Sequence, residues 1–140
     1  MQFERGIDIA APPAKVWATL VDVESWPLWS ESVDKVERLD KSQPFGLNSE
    51  ARIQQPKMPA LTWHVVEFSP GVSFAWTSTT RGVTTWASHA IESLAGGRSR
   101  VTLGIRQTGP FAWLASLVVG KQSRRYVDME AEGLKKFCER

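Results

Sequence analysis

The chain has 140 residues, of which 42% are hydrophobic and 23% are charged, and its formal net charge is +2. These values predict one globular domain over residues 1–140 and exclude a largely disordered chain. The densest basic cluster is Lys121 with Arg124 and Arg125. Nucleic acid is not an expected partner, because phosphate binding requires many more cations on one surface.

The cysteine content and the apolar runs limit further classes of protein. Cys138 is the single cysteine, which excludes an internal disulfide and a cysteine-based zinc site. Residues 1–7 lack the apolar run of a signal peptide. The longest apolar run, residues 111–120, has about half the length that a membrane span requires. We therefore expect a cytoplasmic protein with no integral membrane segment, no metal and no cofactor.

Apolar periodicity and turn residues predict the secondary structure in chain order. Alternation over residues 3–9 predicts a strand, and helical spacing predicts a short helix over 13–22. Trp26 and Trp29 lie in a second short helical turn. Six strands separated by Gly- or Pro-containing turns follow, and residues 111–140 form one long helix. The six strands cover roughly 33–40, 47–55, 61–68, 72–80, 83–94 and 99–108.

The short connections between the strands determine the fold class. A parallel pair requires a crossover of a dozen residues or more, so neighbouring strands must be antiparallel. The class is α+β, with an antiparallel meander of about seven strands and one long closing helix. A single helix cannot cover a curved sheet of this size completely, so we expect an apolar cavity between the sheet and the helix.

The register of the fourth and fifth strands depends on the turn between them. A two-residue turn at 70–71 places Val65 opposite Trp76 and Glu67 opposite Phe74. Because side chains alternate between the faces of a strand, all four then share the inner face.

Two further turns extend this inner face. A two-residue turn at 81–82 places Phe74 opposite His89. A three-residue loop at 96–98 in the last hairpin places Ile105 opposite His89. The predicted inner face comprises Trp63, Val65, Glu67, Phe74, Trp76, Ser78, Thr85, His89, Leu103, Ile105 and Gln107.

His89 and Glu67 are the inner-face residues with chemistry of interest. An imidazole can transfer a proton or hydrogen-bond to a ligand, or it can be a core histidine satisfied by a backbone carbonyl. Glu67, two strands away, would supply the acid of a cyclase or dehydratase pair. The alternative for Glu67 is a solvated carboxylate at the rim of the sheet.

Large apolar side chains provide the candidate walls and surfaces. Trp63 and Trp76 are either cavity walls or plain core. Trp86 has the opposite parity to His89, which places it on the outer face and suggests a homodimer contact. The apolar first half of the long helix, including Phe111 and Leu114, is either a lid on the cavity or a simple fit against the sheet.

Several short motifs follow one another in a recognisable order. They are IAAPPAKVW at 9–17, LVD at 20–22, Trp26, Trp29, RIQQP at 52–56, LTW at 61–63, FAW at 74–76, ASH at 87–89 and GP at 109–110. With these motifs the chain resembles START-like proteins and is most similar to the polyketide cyclase/dehydrase-like proteins of the SRPBCC group. This resemblance implies a helix-grip (START-like, Bet v 1-like) fold with two short helices after the first strand, and a hydrophobic ligand in the cavity. It implies no particular reaction.

These features support one main functional hypothesis and two alternatives. The main hypothesis is binding of a small hydrophobic or aromatic molecule in the cavity. One alternative is a cyclase or dehydratase that uses His89 and Glu67, and the other is a dimerising interaction module. The predicted ligand-binding residues are Trp63, Val65, Phe74, Trp76, Ser78, Thr85, His89, Leu103, Ile105, Gln107, Phe111 and Leu114.

Overall fold

A computed structural model describes residues 2–140 of the chain. Within these residues the predicted elements are present, and the second and third strands are shorter than expected. The elements are β1 Gln2–Ile9, α1 Pro13–Val21, a 3₁₀ helix Val23–Leu28, β2 Lys35–Arg38, β3 Glu50–Gln54, β4 Leu61–Ser69, β5 Ser73–Thr80, β6 Val83–Leu94, β7 Arg98–Thr108 and α2 Ala112–Cys138.

The strands form one curved antiparallel sheet in the order β1-β7-β6-β5-β4-β3-β2. From β2 to β7 every strand pairs with the next one along the chain, and β1 closes the far edge by pairing Ile7 with Val101. Helix α2 lies across the concave face. The predicted α+β class and helix-grip fold are confirmed.

The turn between β5 and β6 has the predicted length of two residues. Arg81 and Gly82 both have positive φ, 50° and 76°, the conformation of the turns that suit the twist of a hairpin. Thr80 therefore pairs with Val83. The same register places Phe74 opposite His89, so the prediction for this pair is confirmed.

The loop between β6 and β7 has three residues, as predicted, but begins one residue earlier. Leu94 pairs with Arg98, so the loop is formed by residues 95–97. Gly96 and Gly97 occupy positions with φ of 78° and 72°, which an arginine would adopt only with strain. The predicted partner of His89 on β7 was therefore wrong.

Leu103 lies opposite His89, and Ile105 lies opposite Ala87. The shift amounts to two residues along β7. Because the side chains of a strand alternate with a period of two, Leu103 and Ile105 keep their predicted inner face.

The hairpin of β4 and β5 also departs from the predicted register. Ser69 pairs with Ser73, so the loop has three residues instead of two. An irregularity between Val65 and Glu67 inserts one extra residue into β4. The two changes cancel towards the start of β4, where Val65 pairs with Trp76 as predicted. Between the bulge and the loop, every side chain of β4 changes face.

Trp26 anchors the 3₁₀ helix against the concave face of the sheet. Its indole N–H donates to the Leu20 carbonyl at 3.0 Å. Its ring lies 5.5 Å from Trp29, 5.4 Å from Trp76 and 5.5 Å from His89. The N–H of a buried tryptophan usually finds a hydrogen-bond partner, and here the Leu20 carbonyl of α1 is that partner.

Helix α2 is continuous over 27 residues, and Gly120 does not interrupt it. Its second half buries Val127, Ala131, Leu134 and Cys138, which recur at helical spacing along one face. Burial also raises the pKa of the Cys138 thiol. In the described residues no helix is long and apolar enough to cross a membrane.

Polar contacts fix the end of α2 to the segment that follows β1. The Glu139 carboxylate accepts the backbone N–H of Ala10 at 2.8 Å and the ammonium of Lys135 at 2.6 Å. These two donors lower the pKa of Glu139. Lys135 also donates to the Asp8 carbonyl at 2.9 Å. The last turn of α2 is therefore held in one position against the sheet edge.

Candidate functional site

A cavity lies between the concave face of the sheet and α2. It has a volume of about 120 Å³, counted as the space that the centres of water molecules can occupy. One water needs only roughly 10–15 Å³ by that measure, so the space is ligand-sized. The lining residues are Trp26, Val33, Ile53, Gln55, Met58, Leu61, Trp63, Trp76, Thr85, Ala87, Ser88, His89, Leu103, Gly104, Ile105, Gln107, Val119, Ser123, Tyr126, Val127 and Glu130.

Aromatic rings form one wall of the cavity without filling it. The rings of Trp63 and Trp76 lie 5.8 Å apart and are tilted by 39°, and both are buried. Trp76 also packs edge-on against Phe74 at 5.4 Å. The rings pack against one another, and the open space beside them extends to Leu103 and Ile105 on β7.

His89 points into this space from the middle of β6. Only 3% of the residue is exposed, and its ring stacks on Phe74 with a centroid distance of 4.2 Å. Nδ1 lies 3.3 Å from the Phe74 carbonyl oxygen. A carbonyl can only accept a hydrogen bond, so Nδ1 carries a hydrogen and Nε2 is directed elsewhere.

Glu130 of α2 faces Nε2 of His89. Its Oε1 atom lies 3.3 Å from Nε2, and 16% of the Glu130 side chain is exposed. The two atoms are not aligned as a hydrogen bond, and Oε1 has no hydrogen-bond partner in the described residues. The site therefore contains an acid and an imidazole in contact, from two different elements of the fold.

The sequence analysis missed Glu130, although a signal existed. Glu130 lies three residues after Val127 and four before Leu134, which places it on the buried face of α2. A carboxylate within a core stripe is rarely buried without a partner. That rule would have suggested a polar contact across the cavity.

Two more polar atoms at the cavity are buried without hydrogen-bond partners in residues 2–140. They are Nε1 of Trp63, a donor, and Oε1 of Gln107, an acceptor. Gln107 uses its Nε2 to donate to Thr85 Oγ1 at 3.5 Å, the limit of a hydrogen bond. Both side chains therefore bring polar atoms to a lining that is otherwise largely apolar.

Tyr126 joins α2 to the loop beyond β3 at the side of the cavity. Its hydroxyl donates to the Pro56 carbonyl at 2.5 Å and accepts from Gln122 at 3.1 Å. Both hydroxyl functions are therefore used in structure, which leaves Tyr126 as a wall of the cavity.

Seven of the twelve predicted ligand-binding residues line the cavity, and five do not. The five others lie either in the packing beside the cavity or near the start of α2, outside the cavity. Val65, Phe74 and Ser78 are on the inner face but are buried in the packing beside the cavity. The seven that line it are Trp63, Trp76, Thr85, His89, Leu103, Ile105 and Gln107.

Phe111 and Leu114 are the other two, and they lie outside the cavity. They are 54% and 46% exposed. Leu114 is five residues before Val119, a cavity residue, and therefore about 140° around the helix from it. Phe111 precedes α2 and lies against the turn at Gly82. The cavity is covered by the middle of α2 and not by its first turns.

Glu67 is on the outer face, so its predicted position beside His89 was wrong. The bulge in β4 places Glu67 opposite Ala75 and Phe68 opposite Phe74. Phe68 then packs inside against Trp17, with ring centroids 5.6 Å apart, while Glu67 is exposed. Burying a phenylalanine in place of a carboxylate is the favourable exchange.

The remaining chemistry of the described residues is limited. No lysine or arginine lines the cavity. His64 lies on the outer face, where it contacts Asn48 at 3.2 Å. Within residues 2–140 no group of three or more His, Cys, Asp or Glu side chains could hold a metal ion.

A curved antiparallel sheet with one long helix over an apolar cavity defines the helix-grip class of α+β proteins. The sequence agrees with this class over its whole length. The chain belongs to the polyketide cyclase/dehydrase and lipid transport family, whose model matches residues 1–139. The predicted relationship to polyketide cyclase/dehydrase-like proteins is thereby confirmed. No curated protein sequence matches the chain.

Solved structures show the same fold at low sequence identity. A hypothetical protein from Helicobacter pylori has a TM-score of 0.84 at 14% identity, covering 99% of this chain and 88% of that one. A START superfamily protein from Mycobacterium smegmatis has 0.75 at 10%, covering 97% of each chain. The ZhuI aromatase/cyclase from Streptomyces sp. R1128 has 0.71 at 16%, covering 97% and 94%.

Proposed function

We propose that this protein binds a small hydrophobic or aromatic molecule in the cavity between sheet and helix. The observation that carries the proposal is the cavity itself, about 120 Å³ of space beside Trp63 and Trp76. Protein interiors are normally packed to the density of organic crystals. An unfilled volume of this size costs stability, and a bound ligand would recover that cost.

The chemistry of the lining supports the same proposal. Its walls are tryptophan, leucine, isoleucine and valine side chains, with a few polar atoms of His89, Gln107 and Glu130. Pockets for small molecules commonly combine an apolar wall with a small number of placed polar groups. The family description, polyketide cyclase/dehydrase and lipid transport, names proteins that handle molecules of this type.

Native mass spectrometry before and after organic extraction tests the proposal. We expect the purified protein to carry a small apolar molecule that extraction removes, or to bind 2-naphthol saturably at one molecule per chain after extraction. Quenching of tryptophan fluorescence reports the second result, because Trp26, Trp63 and Trp76 line the cavity. Absence of both a bound mass and saturable quenching would contradict ligand binding.

A second candidate is an enzyme that transfers a proton within the same cavity. The contact of His89 with Glu130 favours it, since an acid and a base in one apolar site can remove and return a proton. A dehydratase would release one water from its substrate, which mass spectrometry detects. Polyketide-like hydroxyketones that bind but keep their mass on incubation with the protein would count against this candidate.

A third candidate is self-association through the first turns of α2. Trp113, Leu117 and Val118 are 65%, 76% and 74% exposed, and so many exposed apolar side chains close together in a chain are unusual for a monomer. Trp86, the contact predicted from the sequence, lies with the Arg106 guanidinium 4.7 Å from its ring centre. The exposed turns of α2 are therefore the better-supported interface for a homodimer.

Sedimentation velocity over a range of concentrations tests self-association. If the α2 surface pairs two chains, the native protein should sediment as a dimer at high concentration, and Leu117→Glu should sediment as a monomer. Leu28→Glu is the matched control, because Leu28 is 70% exposed on the 3₁₀ helix, outside α2. A native protein that stays monomeric throughout would exclude this candidate.

A cytoplasmic location stays a prediction from the cysteine content.

A further inference from the structure

We infer that the cavity selects neutral ligands that carry a hydroxyl group and rejects ligands that carry a carboxylate. This inference rests on the proposed ligand binding and specifies its chemistry. It follows from the charges around the cavity and from the His89–Glu130 contact.

The charges around the cavity disfavour an anion. The lining contains one carboxylate, that of Glu130, and no lysine or arginine. A buried carboxylate requires a cation or several hydrogen-bond donors to replace water. His89 is already in contact with Glu130, so it cannot neutralise a second acid without leaving the first one unpaired. A fatty acid or an aromatic acid is therefore a poor ligand.

The contact between His89 and Glu130 fits a hydroxyl group. Nδ1 of His89 is committed to the Phe74 carbonyl, so Nε2 is the nitrogen that faces Oε1 of Glu130, 3.3 Å away and without a hydrogen bond to it. A hydroxyl both donates and accepts, so it can bond either atom whether or not that atom carries a proton. A ketone or an ether only accepts, so it can bond only an atom that carries a proton.

The unpartnered atoms of the cavity also call for donors on the ligand. Within residues 2–140, Oε1 of Glu130 and Oε1 of Gln107 are buried without a hydrogen-bond partner, and both are acceptors when Glu130 is ionised. Nε1 of Trp63 is the one donor among the buried, unpartnered atoms of the described lining. A ligand hydroxyl can donate to an acceptor of this kind, whereas a carboxylate is repelled by it.

Three naphthalene probes of similar shape separate these effects. We would titrate the extracted protein at neutral pH with 2-naphthol, 2-methylnaphthalene and 2-naphthoate, following tryptophan fluorescence and calorimetry. We expect 2-naphthol to bind about tenfold more tightly than 2-methylnaphthalene, the value of one good hydrogen bond to a charged group. We expect 2-naphthoate to bind at least about a hundredfold more weakly than 2-naphthol.

Glu130→Gln tests whether this residue sets the preference. The substitution removes the carboxylate and frees His89, so 2-naphthoate should gain affinity and 2-naphthol should lose it. The matched control is Glu67→Gln, because Glu67 is exposed on the outer face and should change neither affinity. The unfolding midpoint of each variant shows that the fold is intact.

The possible failures are distinguishable. If none of the three probes binds, ligand binding in the cavity and this inference are both wrong. If all three bind with similar affinity, the cavity is a binding site without the proposed selectivity. Equal preference for 2-naphthol in the native protein and in Glu130→Gln would assign the selectivity to other residues and overturn the role of Glu130.

Discussion

Replacing Gly133 by alanine should destabilise the protein by about 3 kcal/mol or more, although alanine is the better helix former. A Cβ atom at this position of α2 would lie 1.8 Å from the Trp29 carbonyl oxygen and 2.9 Å from its carbon. Both atoms belong to the backbone, so no side-chain rotation relieves the overlap. The gain in helix propensity is only about 1 kcal/mol and cannot compensate.

Neither partner of this contact can move away easily. The backbone at Trp29 is held by the Trp29 and Ser30 N–H groups, which both donate to the Trp26 carbonyl. Helix α2 is held beyond Gly133 by Lys135 and Glu139, which bond the segment after β1. A shift of α2 would also open the cavity, since Glu130 is less than one turn away.

Denaturant unfolding of the native protein and Gly133→Ala measures the effect. Gly6→Ala is a suitable control, because a Cβ there would meet its nearest neighbours, Thr102 Oγ1 and the Val101 carbonyl, at 4.0 Å. That control should change the free energy of unfolding by less than about 1 kcal/mol. A Gly133→Ala protein as stable as the native one would show that α2 and the 3₁₀ helix are not in close contact.

The turns show which parts of the fold are encoded locally. Arg81-Gly82 fixes its hairpin because a two-residue turn with positive φ at both positions suits the twist of the strands. The loop of residues 95–97 was harder to place, since either glycine could begin or end it. The face of the β7 residues that line the cavity was nevertheless predicted correctly, because the error was of two residues.

The bulge in β4 was missed because the register was predicted from the length of the turn alone. The apolar–polar alternation of residues 61–65 is broken by the pair Val65-Val66 and resumes with the opposite phase at Glu67-Phe68, as expected for one inserted residue. The bulge forms because Phe68 gains a place beside Trp17 and Phe45 inside the sheet. This gain depends on elements far away in sequence, so Glu67 was assigned to the wrong face.

The acid of the site was missed because its partner is distant in the chain. Helical spacing places Glu130 on the buried face of α2, between Val127 and Leu134, but it does not show what the carboxylate contacts. Its partner His89 lies 41 residues earlier, and only the packing of α2 over β6 brings the two together. The cavity volume depends on the distance between α2 and the sheet, and the periodicity of apolar residues in the sequence carries no information about that distance.

Replacing Ala87 by leucine should weaken ligand binding by about ten- to a hundredfold and leave the fold stable. Ala87 lies on β6 between Trp76 and Ile105 of the neighbouring strands, and its side chain lines the cavity. Leucine would place three more carbon atoms in the space that a ligand occupies. Overlap of this kind costs about 1–3 kcal/mol, which corresponds to that loss of affinity. Titration with 2-naphthol measures it.

The effect on stability distinguishes a cavity from a packed core. In a filled interior the larger side chain would strain its neighbours, whereas in an open cavity it gains contacts and should keep or raise the unfolding midpoint. Ala90→Leu is the matched control, because Ala90 is exposed on the other face of β6. It should leave the affinity unchanged. Unchanged affinity in Ala87→Leu would place the ligand outside this cavity, and a marked loss of stability would show that the space is already filled.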